Sequence, residues 1–196
     1  MFFHKYITQG VRHCMMEIGA NDPEHISNSN ELITKCGWNA ILIEPCPPQA
    51  EKLRNYYKEN LKVIVIEAAI SDQDGDGLLH KHGEANTYNQ MFHVCASLIP
   101  NGHGCGAWEV KTLSGKTLCN IIDFSQVGVL SVDTEGYDYK VISSLFEASL
   151  HRPELIITEN VSTWFPNEEL LKVGLLEAEG YKLLEIEDAN SVYLLE

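Results

Sequence analysis

Short apolar runs alternate with helix-forming stretches along the chain, and few folds satisfy that pattern. Residues 14–18, 40–44, 63–70, 127–133 and 155–159 each have the length and continuous hydrophobicity of a strand buried on both faces. Helices are expected between them at 30–36, closed by Gly37, and at 48–60, entered through two prolines. Two more are expected at 137–150, with Val141, Ile142, Leu145 and Phe146 on one face, and at 167–179, closed by Gly180. Strand, helix, strand in repetition implies a parallel sheet with helices on both faces, a doubly wound α/β fold. The end departs from the rule: "YKLLEIEDANSVYLLE" reads as a hairpin around Asp188, Ala189 and Asn190, so the last strand runs antiparallel. Residues 71–108, rich in Gly, His and Asn, match no element pattern and are expected to form an irregular insert near the carboxyl edge of the sheet. The whole chain, 1–196, reads as one domain.

Charge narrows the partners. Lys and Arg total 14 against 28 Asp and Glu, and a net charge of -14 repels phosphate backbones and anionic lipid heads. Nucleic acid and membrane surfaces are therefore excluded, while oligomerisation stays open. The apolar stretches are shorter than the ~20 residues of a membrane span, and "MFFHKYITQG" lacks the apolar core of a signal peptide. Six cysteines with no C-x-x-C pair read as reduced thiols, and the chain as cytoplasmic.

In an open parallel sheet the ligand crevice lies beyond the carboxyl ends of the strands. The first strand ends in "MEIGANDP", Met16 to Pro23, where Gly19 permits a close backbone approach. The second ends at Glu44, about 25 residues on, where a carboxylate can accept both hydroxyls of a ribose. Together they describe a nucleoside site. A dinucleotide fingerprint needs three glycines to accommodate a pyrophosphate, whereas this turn has one glycine and Asp22, which repels phosphate. S-adenosylmethionine, with a sulfonium and an ammonium, suits the acidic Glu17 and Asp22. A nicotinamide-dependent oxidoreductase is the alternative enzyme, and a nucleoside- or partner-binding module without turnover the non-enzymatic one.

The stretches "EIGAND", "ILIEPCPPQAEKL", "AAISDQDG", "VKTLSGKTL", "LSVDTEGYDYKVI" and "PELIITEN" resemble the successive motifs of the FkbM-type methyltransferases, from Met16 to about Glu159. The resemblance implies the seven-stranded, Rossmann-like methyltransferase sheet and S-adenosylmethionine as cofactor. It places Gly19, Ala20 and Asn21 on the methionine side, Glu44 at the ribose, and Ile70, Ser71 and Asp72 at the adenine. Pro23 stands where that family usually has glycine. The chain also starts almost directly at the first strand, so a cover for the site is expected from the 71–108 insert or a partner subunit, or is absent.

Methyl transfer is an in-line displacement, for which the protein positions an acceptor and supplies a base. A hydroxyl of a sugar or small molecule is the expected acceptor. Asp133, which closes the fourth strand, and Glu135, on the turn after it, are the expected catalytic bases, with His93 and His103 as further candidates. Trp164, Phe165 and Pro166 read as a packed plug. His93, Cys95, His103 and Cys105 are zinc-type ligands at a non-standard spacing, and a His-rich loop is the preferred reading. The fifth strand ends in Glu159 and Asn160. Neighbouring strand ends ~4.8 Å apart can share one Mg²⁺ at ~2.1 Å, so Asp133, Glu159 and Asn160 form a candidate magnesium site. The set resembles the Asp, Asp-Asn ligands of catechol-type O-methyltransferases, with Glu159 in place of the second Asp.

Overall fold

The computed structural model describes residues 2–81, 96–100, 106–187 and 189–196. His93, Cys95, His103 and Cys105 lie outside the described residues, as does Asp188 in the hairpin turn.

Five parallel strands build the centre: β1 (Cys14–Ile18), β2 (Asn39–Ile43), β3 (Val63–Ile66), β8 (Val129–Val132) and β9 (Leu155–Glu159). The hairpin of β10 (Tyr181–Glu187) and β11 (Asn190–Leu195) completes a seven-stranded sheet of order β10-β11-β9-β8-β1-β2-β3. Strand β11 runs antiparallel to both neighbours. The fold is the mixed α/β, mostly parallel seven-stranded architecture, with the antiparallel hairpin at its end. Every residue of β1, β8 and β9 is buried, which is why these strands read as unbroken apolar runs.

Strand alternation divides the core between the two faces. Met16, Ile18, Leu130, Val132 and Ile156 pack with Leu118 of α3 (Gly115–Ile121), Val141, Ile142 and Leu145 of α4 (Asp138–Ala148), and Leu176 of α5 (Pro166–Ala178). On the opposite face Met15, Val129, Leu155 and Ile157 meet Phe3, Leu32 and Trp38. Nearby, Ala40 and Leu42 meet Ile33 of α1 (Asn30–Thr34) and Leu53 and Tyr57 of α2 (Pro47–Tyr57).

The single strand expected over 63–70 is two. β3 is a half-exposed edge strand that ends at Ile66, and the chain then leaves the sheet through Glu67 and Ala68 into β4 (Ala69–Ser71), which is wholly buried. Nor is the 71–108 insert irregular throughout. β5 (Gly75–Lys81) and β7 (Ala107–Ser114) pair antiparallel over six residue pairs, and with β4 and β6 (Ala96–Ser97) they form a second sheet of order β4-β7-β5-β6. The strands lack the apolar pattern because β5 carries two glycines and has a single buried position, Leu79. No helix among the described residues is long and apolar enough to cross a membrane.

Candidate active site

Strand β1 pairs with β2 on one side and β8 on the other, so chain order reverses between β1 and β8. Beyond the carboxyl ends at that reversal opens a cleft. Its floor is Glu17, Ile18 and Gly19 and the Asp133–Glu135 loop. Glu44 and Pro45 form one side, and Ala68, Ala69 and Ile70 another. The second sheet closes over it with Leu79, Ala96, Ser97 and Leu98.

Gly19 has φ of +85°, and a Cβ there would lie 1.9 Å from the Asp133 carbonyl oxygen. Glycine is therefore required on two counts, handedness and contact. The approach is held by backbone bonds on both sides: Gly19 N–H donates to Ile43 O at 2.9 Å and Asp133 N–H to Ile18 O at 3.0 Å.

Glu44 is buried, and each of its oxygens accepts a backbone N–H, from Asn21 at 2.9 Å and from Cys46 at 2.7 Å. It thus ties the turn after β1 to the start of α2. Each oxygen retains a second lone pair for another donor. Burial pushes its pKa up to about 7 against the pull of those two bonds, with the Glu17 charge adding to the rise.

Glu17 is used differently from the expectation. Its carboxylate accepts from Ser27 Oγ at 2.9 Å, Asn28 N at 2.6 Å, and Ser29 N and Oγ, so it organises the turn that enters α1 while still bordering the cleft. Burial raises its pKa despite these bonds. Asp22 does not line the cleft. Partial burial raises its pKa, but Lys52 of α2 at 2.5 Å, the Glu24 N–H and His25 outweigh that and hold it at about 2.

Of the other expected cofactor contacts, Asn21 and Ile70 border the cleft, whereas Ala20 is buried behind it. Ser71 is buried and donates to the exposed Asp72 at 3.0 Å, and it also meets the Tyr137 hydroxyl at 3.3 Å. Ser71 and Asp72 thus lie outside the cleft lining.

The acidic end is tightly built. Asp133, Glu135 and Glu159 bring carboxylate oxygens within 4.8 Å of one another. Enclosure by the cleft walls raises the Asp133 pKa, and the Glu159, Asp138, Glu135 and Glu17 charges raise it further. Its side chain meets solvent in the open cleft, which moderates the effect of enclosure and leaves the facing carboxylates as the firmer cause. Glu159 is 8 % exposed, and burial with the Glu135 and Asp138 charges carries its pKa to about 8, against the opposing charge of Lys172. Asn160 makes bonds to its own surroundings. Its Oδ1 accepts from Ser162 N at 3.2 Å, and its amide lies 3.5 Å from Ser191 Oγ.

Several supporting residues carry no advance signal in the sequence. Lys172, on α5, is 1 % exposed. It bridges to Glu169 at 2.9 Å, donates to the Glu159 carbonyl, and lies 3.9 Å from Asp138. By spacing it reads as a surface i,i+3 pair. Asp138 in turn accepts from Thr134 N at 3.0 Å and Thr134 Oγ1 at 2.5 Å, which fixes the loop that presents Asp133. Ser97 Oγ donates to the Glu135 carbonyl at 2.9 Å. Asn28 is the exception, because the "SNSN" run before α1 is a recognisable turn and capping signal. Phe165 is a packed plug against Gly136, where a Cβ would lie 2.5 Å from the ring, while Trp164 is 66 % exposed.

Residues 17–183 match the family model described as the methyltransferase FkbM domain. Among solved structures the chain is similar to a methyltransferase FkbM from Methylobacillus flagellatus KT, with a TM-score of 0.63 and 15 % identity over 98 % of this chain. It spans 46 % of that protein's chain. It is also similar to the SAH-bound Podospora anserina methyltransferase PaMTH1, with a TM-score of 0.50 and 11 % identity over 94 % of this chain and 72 % of that one. At these identities the likeness is one of fold. No curated protein sequence matches.

Proposed function

Because the chain belongs to the FkbM methyltransferase domain family, we propose that it transfers a methyl group from S-adenosylmethionine to a hydroxyl of a sugar or other small molecule. The observation that carries this reading is the single cleft edge that holds Gly19, Glu44 and Asp133 together at the strand-order reversal. Bound there, the cofactor supplies an electrophilic methyl on a sulfonium.

The residues present suit it. Glu44 offers two acceptor lone pairs to the ribose hydroxyls. Ala68, Ala69 and Ile70 offer an apolar wall to the adenine, and Gly19 lets the methionine portion approach the backbone. Glu17, Asp133 and Glu135 make the opposite side acidic, which favours positive charge. Asp22, neutralised by Lys52, has no part in this role. With an acceptor hydroxyl held against the methyl that the cofactor would supply, the Asp133 carboxylate would take the hydroxyl proton. Asp133 lines the cleft, and the carboxylates facing it raise its affinity for a proton. Ser97 and Asp138 hold the loop of Asp133 and Glu135 through its backbone and Thr134, so the base is positioned before substrate arrives.

A cytoplasmic setting belongs to the same reading and is supported by free thiols at Cys14, Cys36 and Cys119 among the described residues. Calorimetry tests the cofactor: S-adenosylmethionine should bind with a stoichiometry of about one and NAD should not. Release of S-adenosylhomocysteine in a screen of hydroxylated acceptors tests turnover. Binding of NAD in place of S-adenosylmethionine overturns the proposal.

A further inference from the structure

We infer that the acidic end of the cleft binds one hard divalent cation through Asp133, Glu135 and Glu159. The inference deepens the methyl-transfer reading, on which its functional meaning rests, but its test does not depend on turnover.

Three observations carry it. First, oxygens from all three carboxylates lie within 4.8 Å of one another. Of three oxygens on one ion at most one pair can be opposed, ~4.2 Å apart across Mg²⁺ or ~4.8 Å across Ca²⁺, and adjacent pairs stand ~3.0 to 3.4 Å apart, so side-chain rotations of about 1 to 2 Å bring the group onto an ion. Second, Glu159 is more than nine-tenths buried and aimed into the group, and its Oε2 has no hydrogen-bond partner. A buried acceptor left in that state is costly unless something else satisfies it. Third, the nearby cation is committed elsewhere. The Lys172 ammonium is directed to Glu169, to the Glu159 carbonyl and towards Asp138 rather than to the Glu159 carboxylate. Three acidic groups so close, two of them at the wall of a cleft, repel one another strongly unless a cation or protons intervene.

The donor set selects the ion. All three ligands are carboxylates, with neither imidazole nor thiolate, so Mg²⁺, Mn²⁺ or Ca²⁺ is favoured over zinc or copper. Glu135 joins Asp133 and Glu159 in the group, while the Asn160 amide oxygen accepts from Ser162 N. Because Asp133 and Glu135 also line the cleft, the ion's remaining positions face the acceptor. A hydroxyl oxygen bound there would lose its proton more readily.

The test is direct titration of Mn²⁺ into chelator-treated protein, followed by the paramagnetic signal of the free ion. About one equivalent should bind with a Kd below about 1 mM and be displaced by Mg²⁺ or Ca²⁺. Glu159→Gln and, separately, Glu135→Gln should each weaken binding at least about tenfold, with circular dichroism showing both variants folded. The Glu135 variant alters a partly exposed side chain and guards against a folding defect in the other. No bound Mn²⁺ at about 1 mM, or an affinity in both variants equal to the parent's, overturns the inference. S-adenosylmethionine is titrated in parallel with chelator present. Cofactor binding without Mn²⁺ binding rejects the ion and keeps the methyl-transfer reading, whereas Mn²⁺ binding without cofactor binding does the reverse.

Discussion

Gly19→Ala puts one carbon where the structure has no room for it. The added Cβ would lie 1.9 Å from the Asp133 carbonyl oxygen, against the 3.0 Å below which real side-chain carbons essentially never approach. The two strand ends would therefore have to separate by at least about 1 Å. The obstacle is a backbone atom, so no rotamer change relieves it. Separation works against the Asp133 N–H to Ile18 O bond on one side and the Gly19 and Ala20 N–H bonds to Ile43 O on the other. Losing one such bond costs about 1 kcal/mol. Holding alanine at φ of +85° costs about 1 to 2 kcal/mol more, and partial separation of packed strand ends adds at least about 1 kcal/mol. A total of about 3 to 4 kcal/mol, at about 2 to 4 °C per kcal/mol for a chain of this size, lowers the melting temperature by roughly 6 to 16 °C.

Because the same movement shifts Asp133 relative to the turn that approaches the cofactor, S-adenosylmethionine affinity should fall at least about tenfold in calorimetry on the folded variant. Gly174→Ala is the control. Its site, in α5, has no atom within 4 Å of the added carbon, and alanine should stabilise the helix by about 0.5 to 1 kcal/mol. A Gly19→Ala protein that melts within about 2 °C of the parent and binds cofactor equally well would refute the close-approach argument.

Glu44→Ala should weaken S-adenosylmethionine binding by about 1.5 to 3 kcal/mol, and an unchanged dissociation constant in a folded variant removes the ribose assignment. Because ionised Glu44 is the acceptor and its pKa is about 7, affinity should drop about tenfold between about pH 8 and about pH 6; a flat profile contradicts the role. The same upward shift contributes stability that is complete below about pH 4.5 and is lost as pH rises through about 7, a dependence that Glu44→Gln should reduce in thermal melts. Asp22→Ala should change cofactor affinity by less than about twofold, since its carboxylate is held by Lys52 away from the cleft. Once an acceptor is known, Asp133→Asn should lower kcat by at least about a hundredfold, and retention of full activity excludes it as the base.

How much of this was legible in the residues depended on where each contact is made. The central strands were readable because burial on both faces leaves an unbroken apolar run, a signal local to four or five residues. The strands β5 and β7 were not, because their stability comes from pairing with each other across a long insertion and from one buried face. The site divides in the same way. Gly19, Glu44 and Asp133 stand at strand ends, and a doubly wound sheet makes such positions functional whatever the rest of the chain does. What occupies each side chain is a tertiary matter. Nothing local in "GAND" pairs Asp22 with Lys52, and nothing in the spacing of Glu169 and Lys172 says that the lysine is buried under β9. Asn160 directly follows β9, and its amide closes a turn onto Ser162, a local choice that asparagine makes readily and that spacing alone does not reveal.

The second sheet matters to the chemistry as well as the fold. A methyltransferase must keep water from the electrophilic methyl, and an open strand edge alone cannot do that. Here the region from β5 to β7, the least legible part of the sequence, supplies Leu79, Ala96, Ser97 and Leu98 to the cleft wall. Leu79 is buried with Ala69 and Val110 and anchors this cover to the strand that carries Ile70. Ser97 is 1 % exposed, and its hydroxyl donates to the carbonyl of Glu135, in the loop that presents Asp133. Cover and base are thus joined through the Ser97 hydroxyl. Ser97→Ala removes that hydroxyl and leaves the apolar wall in place, so it should loosen the position of Asp133 without opening the cleft. In kinetics this separates the two roles of the insert: kcat should fall about three- to tenfold with KM for S-adenosylmethionine nearly unchanged. A rise in KM at constant kcat would instead assign Ser97 to cofactor binding and undo the coupling.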